Sequence, residues 1–403
     1  MENKKAFSII FLTVFIDLLG FGLIIPILPN YAKELGASDA EFGLIVSVYS
    51  LLNFVFTPFL GAYSDRIGRR PIILISVFMN MIGYVIFAHA FALPLFIFSR
   101  VLNGIGSSNI SAAQAYIADI SSPENRTKMM GMIGAAFGLG FIFGPPLGGL
   151  LKSYYGIEGV GYGAAALCLL NFISAYLLLP ESNKSLNTHA PIKFVPIESY
   201  VNAFKKPVLR ELMWLWVIYV LAFAAMQTVS ALLWKEQYGL DETHIGYLFG
   251  IIGIASVIVQ AGLVGRLNKV FGEKKLLVIG SVLMMIGLGT VPYVPHENFW
   301  FWAIVNICFI SLGNGCLTPS ITALISKITP PEEQGRMLGL SQSVGSISRV
   351  LGPALSGVFY GWYYALPYIA SAGFMVIGLF LSYLVISAVR KQELSVIELE
   401  TAD

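Results

Sequence analysis

The sequence predicts an all-α membrane protein of about twelve transmembrane helices, arranged as two pseudo-symmetric six-helix bundles, and three observations carry that expectation. First, 56% of the 403 residues are hydrophobic and only 12% charged, against about 25% charged in ordinary soluble domains. With a mean hydropathy of +0.75, most of the surface cannot face water. Second, apolar windows of about 20 residues, the length that crosses a bilayer as a helix, recur along the whole chain. Third, the second half repeats features of the first.

The windows fall at 7–29, 40–63, 71–90, 93–116, 127–151 and 160–180, and, after a polar stretch, at 212–234, 244–265, 275–294, 299–325, 335–360 and 363–388. They are numbered helix one to helix twelve. Gly and Pro inside them do not disqualify a span, because neighbouring helices re-satisfy the freed backbone groups. Helix one follows Lys4 and Lys5 with no small-residue cleavage site, so it reads as a retained span and not a signal peptide. Cys168, Cys308 and Cys316 lie in apolar segments without metal-like spacing and read as packing residues. His89, His189, His244 and His296 fall near loops or helix ends and receive no role.

Basic residues orient the spans. With the N-terminus inside, twenty of the 25 Lys and Arg collect on the cytoplasmic side, while the other side receives only Lys33, Lys152 and Lys235. Both termini are therefore expected in the cytoplasm of a cell whose inner membrane holds the protein. The expected organisation is an N-terminal six-helix bundle at 1–180, a cytoplasmic linker at 181–211, a C-terminal bundle at 212–390 and a cytoplasmic tail at 391–403. From Ile197 to Leu212 the linker has apolar residues at helical spacing, which fits either a helix on the membrane surface or a solvated tether.

The repeat is explicit around helix five. Pro123-Glu124, Lys128, Gly131, Gly144-Pro145 and Gly149 recur 208 residues later as Pro331-Glu332, Arg336, Gly339, Gly352-Pro353 and Gly357. A weaker echo links Asp65-Arg66-Ile67-Gly68-Arg69-Arg70 with the basic run from Arg266 to Lys275 around Gly272. Parallel repeats joined by a linker imply two bundles facing each other across an axis along the membrane normal.

Between helices two and three, Gly61-Ala62-Tyr63-Ser64-Asp65-Arg66-Ile67-Gly68-Arg69-Arg70-Pro71 packs a carboxylate and three arginines into one turn. The arginines alone would make an ordinary positive-inside loop. Asp65 suggests more, since a carboxylate there suits the free N–H groups at the start of a neighbouring helix, a contact that forms in one conformation and breaks in another. This loop resembles the signature of the major facilitator superfamily. Helix five, with Gly140, Gly144-Pro145 and Gly148-Gly149, is similar to the motif of that superfamily's antiporters, in which small residues let helices approach and the proline bends the helix where the halves meet.

Asp17 to Pro29 in helix one and Arg100 to Gly106 in helix four resemble motifs of the twelve-helix drug/proton antiporters, above all the tetracycline/proton antiporters. The resemblance covers essentially the whole chain and implies a proton-coupling role for Arg100. The further acids and the histidine of tetracycline exporters have no counterpart near Asn80 to Tyr84, Val282 to Met285 or Ile254 to Ser256. General export is therefore implied, and recognition of a metal–tetracycline complex is not.

Asp17, Arg100 and Arg349 lie well inside spans, where each costs about 2.5–3.5 kcal/mol on insertion scales. They need partners or a wet cavity. At about 1.5 Å per residue, Asp17 stands roughly 15 Å from the cytoplasmic end of helix one, with Arg100 at a similar height. The two are placed to pair, either as a coupling pair that opens on proton uptake by Asp17 or as a fixed salt bridge. Arg349, about 20 Å into helix eleven, is expected to bind an anion or to balance charge.

Polar residues also recur at helical spacing: Arg100, Asn103, Ser107, Ser111 and Gln114 on helix four, Ser50, Asn53 and Thr57 on helix two, and Gln342, Ser346 and Arg349 on helix eleven. Gln227, Gln260, Asn306 and Asn314 add polar groups in the second half, with Phe21, Tyr49 and Trp234 as aromatic walls. Singly, each is as well explained by a helix–helix hydrogen bond. As a set they favour a cavity.

No phosphate-binding loop, catalytic triad or metal-ligand cluster is present, so no metal, cofactor or nucleic acid is expected, and an ATP-driven pump would need another subunit. A single intramembrane carboxylate argues against an intramembrane enzyme. The expected function is proton-coupled export of drugs or other small amphipathic molecules by alternating access, with efflux or flipping of an endogenous sugar, metabolite or lipid as the alternative. The expected partners are a small-molecule substrate, protons and membrane lipid, with a monomeric chain. Asp65, Arg66, Arg69 and Arg70 are expected to hold the cytoplasmic side closed in the outward-facing state.

Overall fold

A chain this apolar must satisfy its backbone within each span, so helices form wherever the apolar windows run, and glycine decides where one turns into the next. The computed structural model describes residues 2–24, 27–37, 39–183, 186, 197–240 and 242–400, and every regular element among them is helical. Gly68 (φ 106°, ψ 158°) separates helix two (Asp39–Ile67) from helix three (Arg69–Ala88). Gly156 (φ 67°, ψ −164°) divides the run Arg126–Leu178 into helices five and six. Gly272 (φ 71°, ψ 159°) divides helix eight from helix nine within Val264–Thr290.

Helix one is Glu2–Ile24 and is followed by a short helix, Leu28–Glu34. Helix four runs as Leu93–Gly106, tightens through Ser107–Asn109 and continues as Ile110–Ile120. Helix seven is Pro207–Tyr238; helix eight begins as Glu242–Val257 and widens into a π turn at Ile258–Leu263. Helices ten, eleven and twelve are Phe299–Lys327, Gln334–Trp362 and Leu366–Glu400. Seven segments among the described residues are long and apolar enough to cross a membrane, and two of them, Arg126–Leu178 and His244–Tyr293, hold two spans each.

The glycines of the repeat find equivalent partners in the two halves. A Cβ on Gly144 of helix five would fall 2.7 Å from Gly22 of helix one, and one on Gly352 of helix eleven would fall 3.0 Å from Ala224 of helix seven. One on Gly131 would fall 2.7 Å from Val264 of helix eight, and one on Gly339 would fall 2.8 Å from Pro58 of helix two. Helices five and eleven are thus each glued to one helix of their own half and one of the other, which is the small-residue packing that membrane helices use in place of hydrophobic drive.

In the expected linker, residues 184–185 and 187–196 lie outside the described residues, as do tail residues 401–403. The helix Ile197–Lys205 docks on the bundle. Phe204 packs edge-on against Trp214 of helix seven with centroids 5.6 Å apart, and Tyr200 stacks on Phe54 of helix two at 6.3 Å. The Tyr200 hydroxyl meets Ser343 Oγ of helix eleven at 2.6 Å, so this short helix touches both halves.

Candidate functional site

The end of the bundle that carries the basic loops is closed by a buried network. Helices two and eleven cross glycine on glycine: a Cβ on Gly61 would lie 2.2 Å from the Gly335 carbonyl oxygen. That approach delivers Asp65 to the start of helix eleven, where it accepts N–H bonds from Gly335 (2.9 Å) and Arg336 (2.7 Å). A carboxylate there satisfies two free donors and meets the positive end of the helix dipole. Asp65 is 1% exposed and Arg69 fully buried. The Arg69 guanidinium pairs with Asp65, donates to Ser64 Oγ at 2.8 Å and reaches Asp119 of helix four at 3.3 Å. Glu181, just past helix six, accepts the backbone N–H of Arg69 (2.8 Å) and of Arg70 (3.0 Å). Arg70 turns outward to the Tyr176 carbonyl at 2.6 Å, Arg66 is exposed, and Gly68 leaves the room that Glu181 fills.

Deeper in the first half, Asp17 is half-buried and accepts a 2.7 Å bond from Asn109 Nδ2, while Asn80 and Asn171 also face its carboxylate. The expected Asp17–Arg100 pair does not form. Arg100 donates to Asn103 Oδ1 at 2.7 Å and to Ser99 Oγ at 3.3 Å, and its guanidinium lies 5.1 Å from the Phe87 ring centroid and 6.0 Å from that of Phe96. The reason is height. Asp17 meets helix four at Asn109, nine residues beyond Arg100, which is about 14 Å along a helix. Asn103, which donates to the Asn80 carbonyl at 3.1 Å, stands between them.

Where the halves face each other, Gln342 of helix eleven donates to Gln114 of helix four at 3.4 Å and accepts from Arg349 at 3.3 Å. Arg349, an exposed residue, also donates to Ser346 Oγ at 3.3 Å and lies within electrostatic reach of Tyr49 and Tyr219. Tyr219 of helix seven donates to Asn314 Oδ1 at 2.5 Å, and Thr318 reaches the same oxygen at 2.9 Å. Phe21 and Tyr49 stack at 5.4 Å, Ser107 faces the Tyr49 hydroxyl, and Asn53 donates to the Gly104 carbonyl at 3.2 Å. Gln227 is exposed on the helical face that carries Tyr219 and Phe223.

Four expected wall residues pack elsewhere. Gln260 is 3% exposed in the π turn and fills the space above Gly134, so it serves the contact between helices five and eight. Asn306 ties helix ten to helix nine through the Gly287 carbonyl (2.8 Å) and Thr290 (2.7 Å). Trp234 is 7% exposed against Phe249 of helix eight, and Asn103 is consumed by Arg100 and Asn80. Gly140, Gly144 and Gly148 turn to helix one of their own half, facing Leu18, Gly22 and Leu23, whereas a Cβ on Gly149 would meet nothing within 4 Å among the described residues. Pro145 sits inside the same helix. It is Ile142 that seats in Gly253 across the halves.

Sequence reasoning missed Asn80, Asn109, Asn171, Tyr219 and Thr318; the signal was present as polar residues within apolar windows, but not which side each would face. Asp119 and Glu181 were missed because carboxylates at span ends look like ordinary solvated residues. A hollow of about 670 Å³ lies at the basic end, lined by Arg210, Glu211, Pro330, Met337, Leu384 and Ala388, and shares no residue with the cluster around Arg349.

A family model described as the Major Facilitator Superfamily matches residues 10–264 and 226–401. The chain is 28% identical over 383 residues to Multidrug resistance protein 2 of Bacillus subtilis (strain 168), covering 94% of each. It is 29% identical over 364 residues to Tetracycline resistance protein, class C, of Escherichia coli, covering 89% of this chain and 91% of that one. Among solved structures, the crystal structure of the human organic anion transporter MFSD10 (TETRAN) matches with a TM-score of 0.83 at 22% identity, covering 94% of this chain and 99% of that one. That last likeness is one of fold.

Proposed function

We propose that this chain, which belongs to the Major Facilitator Superfamily and is a multi-pass membrane transporter, exports small amphipathic molecules across the cell's inner membrane in exchange for protons. The observation that carries the proton coupling is Asp17, a carboxylate well inside a span that is held by asparagine and not by a cation. Such a group gains or loses a proton without breaking an ion pair, and its amide neighbours serve both forms. The names of the bacterial relatives, which speak of multidrug and tetracycline resistance, support export.

Alternating access follows from the latch. With both termini in the cytoplasm, the basic end is the cytoplasmic end, and Asp65 on the start of helix eleven holds it shut. The state described is then outward-facing. Proton binding at Asp17 from outside favours separation of Asp65 from helix eleven, the bundles at 1–180 and 212–390 rock about the linker, and the substrate site turns inward. One chain suffices for this cycle. Arg100 holds Asn103, which donates to the Asn80 carbonyl, so its part in coupling would run through these asparagines.

The test is transport by the full chain in proteoliposomes under an imposed pH gradient, screening tetracyclines, other drugs and sugars, for wild type and Asp17→Asn. Substrate-dependent proton movement that disappears in the variant is the expected outcome. Transport that ignores the gradient and survives the substitution would make the protein a facilitator.

A further inference from the structure

The cations of this chain are served unequally. Arg69 has two carboxylates, Arg210 has Glu211, Lys327 has Glu273 and Arg336 has Glu333. Arg100 has no carboxylate among the described residues, but it is 4% exposed and enclosed by Asn103, Ser99 and two aromatic faces. Arg349 is exposed and donates two long hydrogen bonds, to Ser346 and Gln342 of its own helix, both neutral. No carboxylate pairs with it among the described residues.

A guanidinium in the middle of a span is costly without a counter-charge. Its planar fork of donors suits a carboxylate, sulfonate or phosphate. Asp17, the acid that sequence heights offered as a partner, is engaged by Asn109. Around Arg349 stand groups from both halves: Tyr49, stacked on Phe21 at 5.4 Å, and Tyr219, stacked on Phe223 at 6.0 Å. Two aromatic pairs beside one unpaired cation form a site for a molecule with a flat apolar body and an anionic end.

We infer that the substrate carries an anionic group that binds Arg349, its body lying between the Phe21–Tyr49 and Tyr219–Phe223 pairs. This rests on the export reading, and it makes the exported class organic anions or zwitterions in place of lipophilic cations. Gln342 accepts from the guanidinium and in turn donates to Gln114 of the other half, so an anion bound at Arg349 touches one end of a network that spans the two bundles.

The test is binding to the full chain in lipid nanodiscs, using fluorescent naphthalene probes that differ only in the end group: carboxylate, sulfonate, phosphate, primary amide and trimethylammonium. At least one anionic probe is expected to bind wild type about tenfold or more tighter than the amide, the size of a charge-assisted hydrogen bond. Arg349→Gln is expected to erase that preference by bringing the anion down to the affinity of the amide, and Arg349→Lys to keep part of it. A monodisperse elution profile and retained binding of the amide probe show that each variant is folded. Equal binding of anion and amide by wild type, preference for the trimethylammonium probe, no binding of any anion, or an anion preference that survives Arg349→Gln would each overturn the inference. Gradient-driven transport is read separately: pH-driven export of neutral or cationic probes alone leaves the exporter reading standing without this site, whereas anion binding without proton movement leaves the site standing without the coupling.

Discussion

Gly68 and Gly272 hold equivalent places in the two halves, with φ 106°, ψ 158° and φ 71°, ψ 159°, and each lets one span turn into the next. Around them the chemistry diverges. Lys269 stands where the first loop has Asp65, and Glu273 where it has Arg69. In the first loop, Gly61 lies against the backbone of Gly335, and Asp65 reaches the free N–H groups of helix eleven. In the second, Gly265 lies against the Lys128 side chain, and Glu273 takes a 2.7 Å bond from the Thr127 hydroxyl and another of 2.7 Å from Lys327. The turn serves the fold and is needed twice. The buried carboxylate, bonded to two backbone N–H groups and an arginine, is built once, so the two crossings of the basic end are not equally fastened.

The largest expected effect comes from breaking the stronger lock. Asp65→Asn removes the charge that both Arg69 and helix eleven use; breaking a buried pair costs about 3–5 kcal/mol, all of it charged to the latched state. Most transport should be lost, and spin labels placed across the basic end should report a longer distance. Unchanged distance and transport would mean that the glycine crossing alone holds that end. Next in size is the same substitution at one glycine of each crossing. Gly335→Ala puts a Cβ 2.3 Å from the Gly61 carbonyl oxygen and 2.6 Å from Arg69, neither of which can yield, so the latch should open as it does for Asp65→Asn. Gly265→Ala meets the flexible Lys128 stem at 2.8 Å and should transport nearly as wild type. Equal damage at both sites would erase the distinction between the loops.

How much of this was legible follows the same division. Hydropathy placed the spans because a lipid environment allows few alternatives to a helix, and the 208-residue repeat foretold glycines that do meet equivalent helices. Asp65 stood out because a carboxylate among arginines at a helix end has few uses. Side-chain facing was not legible. Gln260, Asn306 and Trp234 sit on helices that are contacted on several sides, and a polar residue there serves a neighbouring helix as readily as a cavity. Heights counted at about 1.5 Å per residue ignored how helices one and four actually meet, which is why Asn109, and not Arg100, reaches Asp17.

Tyr200 tests whether the linker helix belongs to the stronger lock. Its hydroxyl bonds Ser343 of helix eleven while its ring stacks on Phe54 of helix two, so it bridges the crossing that Asp65 closes. Tyr200→Phe keeps the stack and loses one hydrogen bond, about 0.5–1.5 kcal/mol. The latched population measured by the same spin labels should fall by a severalfold factor, and no change would confine Tyr200 to anchoring the linker.

The smallest effect is expected at Glu273, and its smallness is the point. The carboxylate is partly exposed, with side-chain exposures of 14% for Glu273 and 27% for its partner Lys327. A surface pair of this kind contributes about 0–1 kcal/mol and is screened by salt. Glu273→Gln keeps an acceptor for Thr127 and Asn268 and gives up the attraction to Lys327. Transport should stay within about twofold of wild type at low salt, the expected size of such a pair, and the difference should vanish as salt is raised. A loss as deep as that of Asp65→Asn, persisting at high salt, would mean that the second loop is a lock in its own right, and that a carboxylate held by a hydroxyl, a side-chain amide and a partly exposed lysine can do what the first loop does with two backbone amides and a buried arginine.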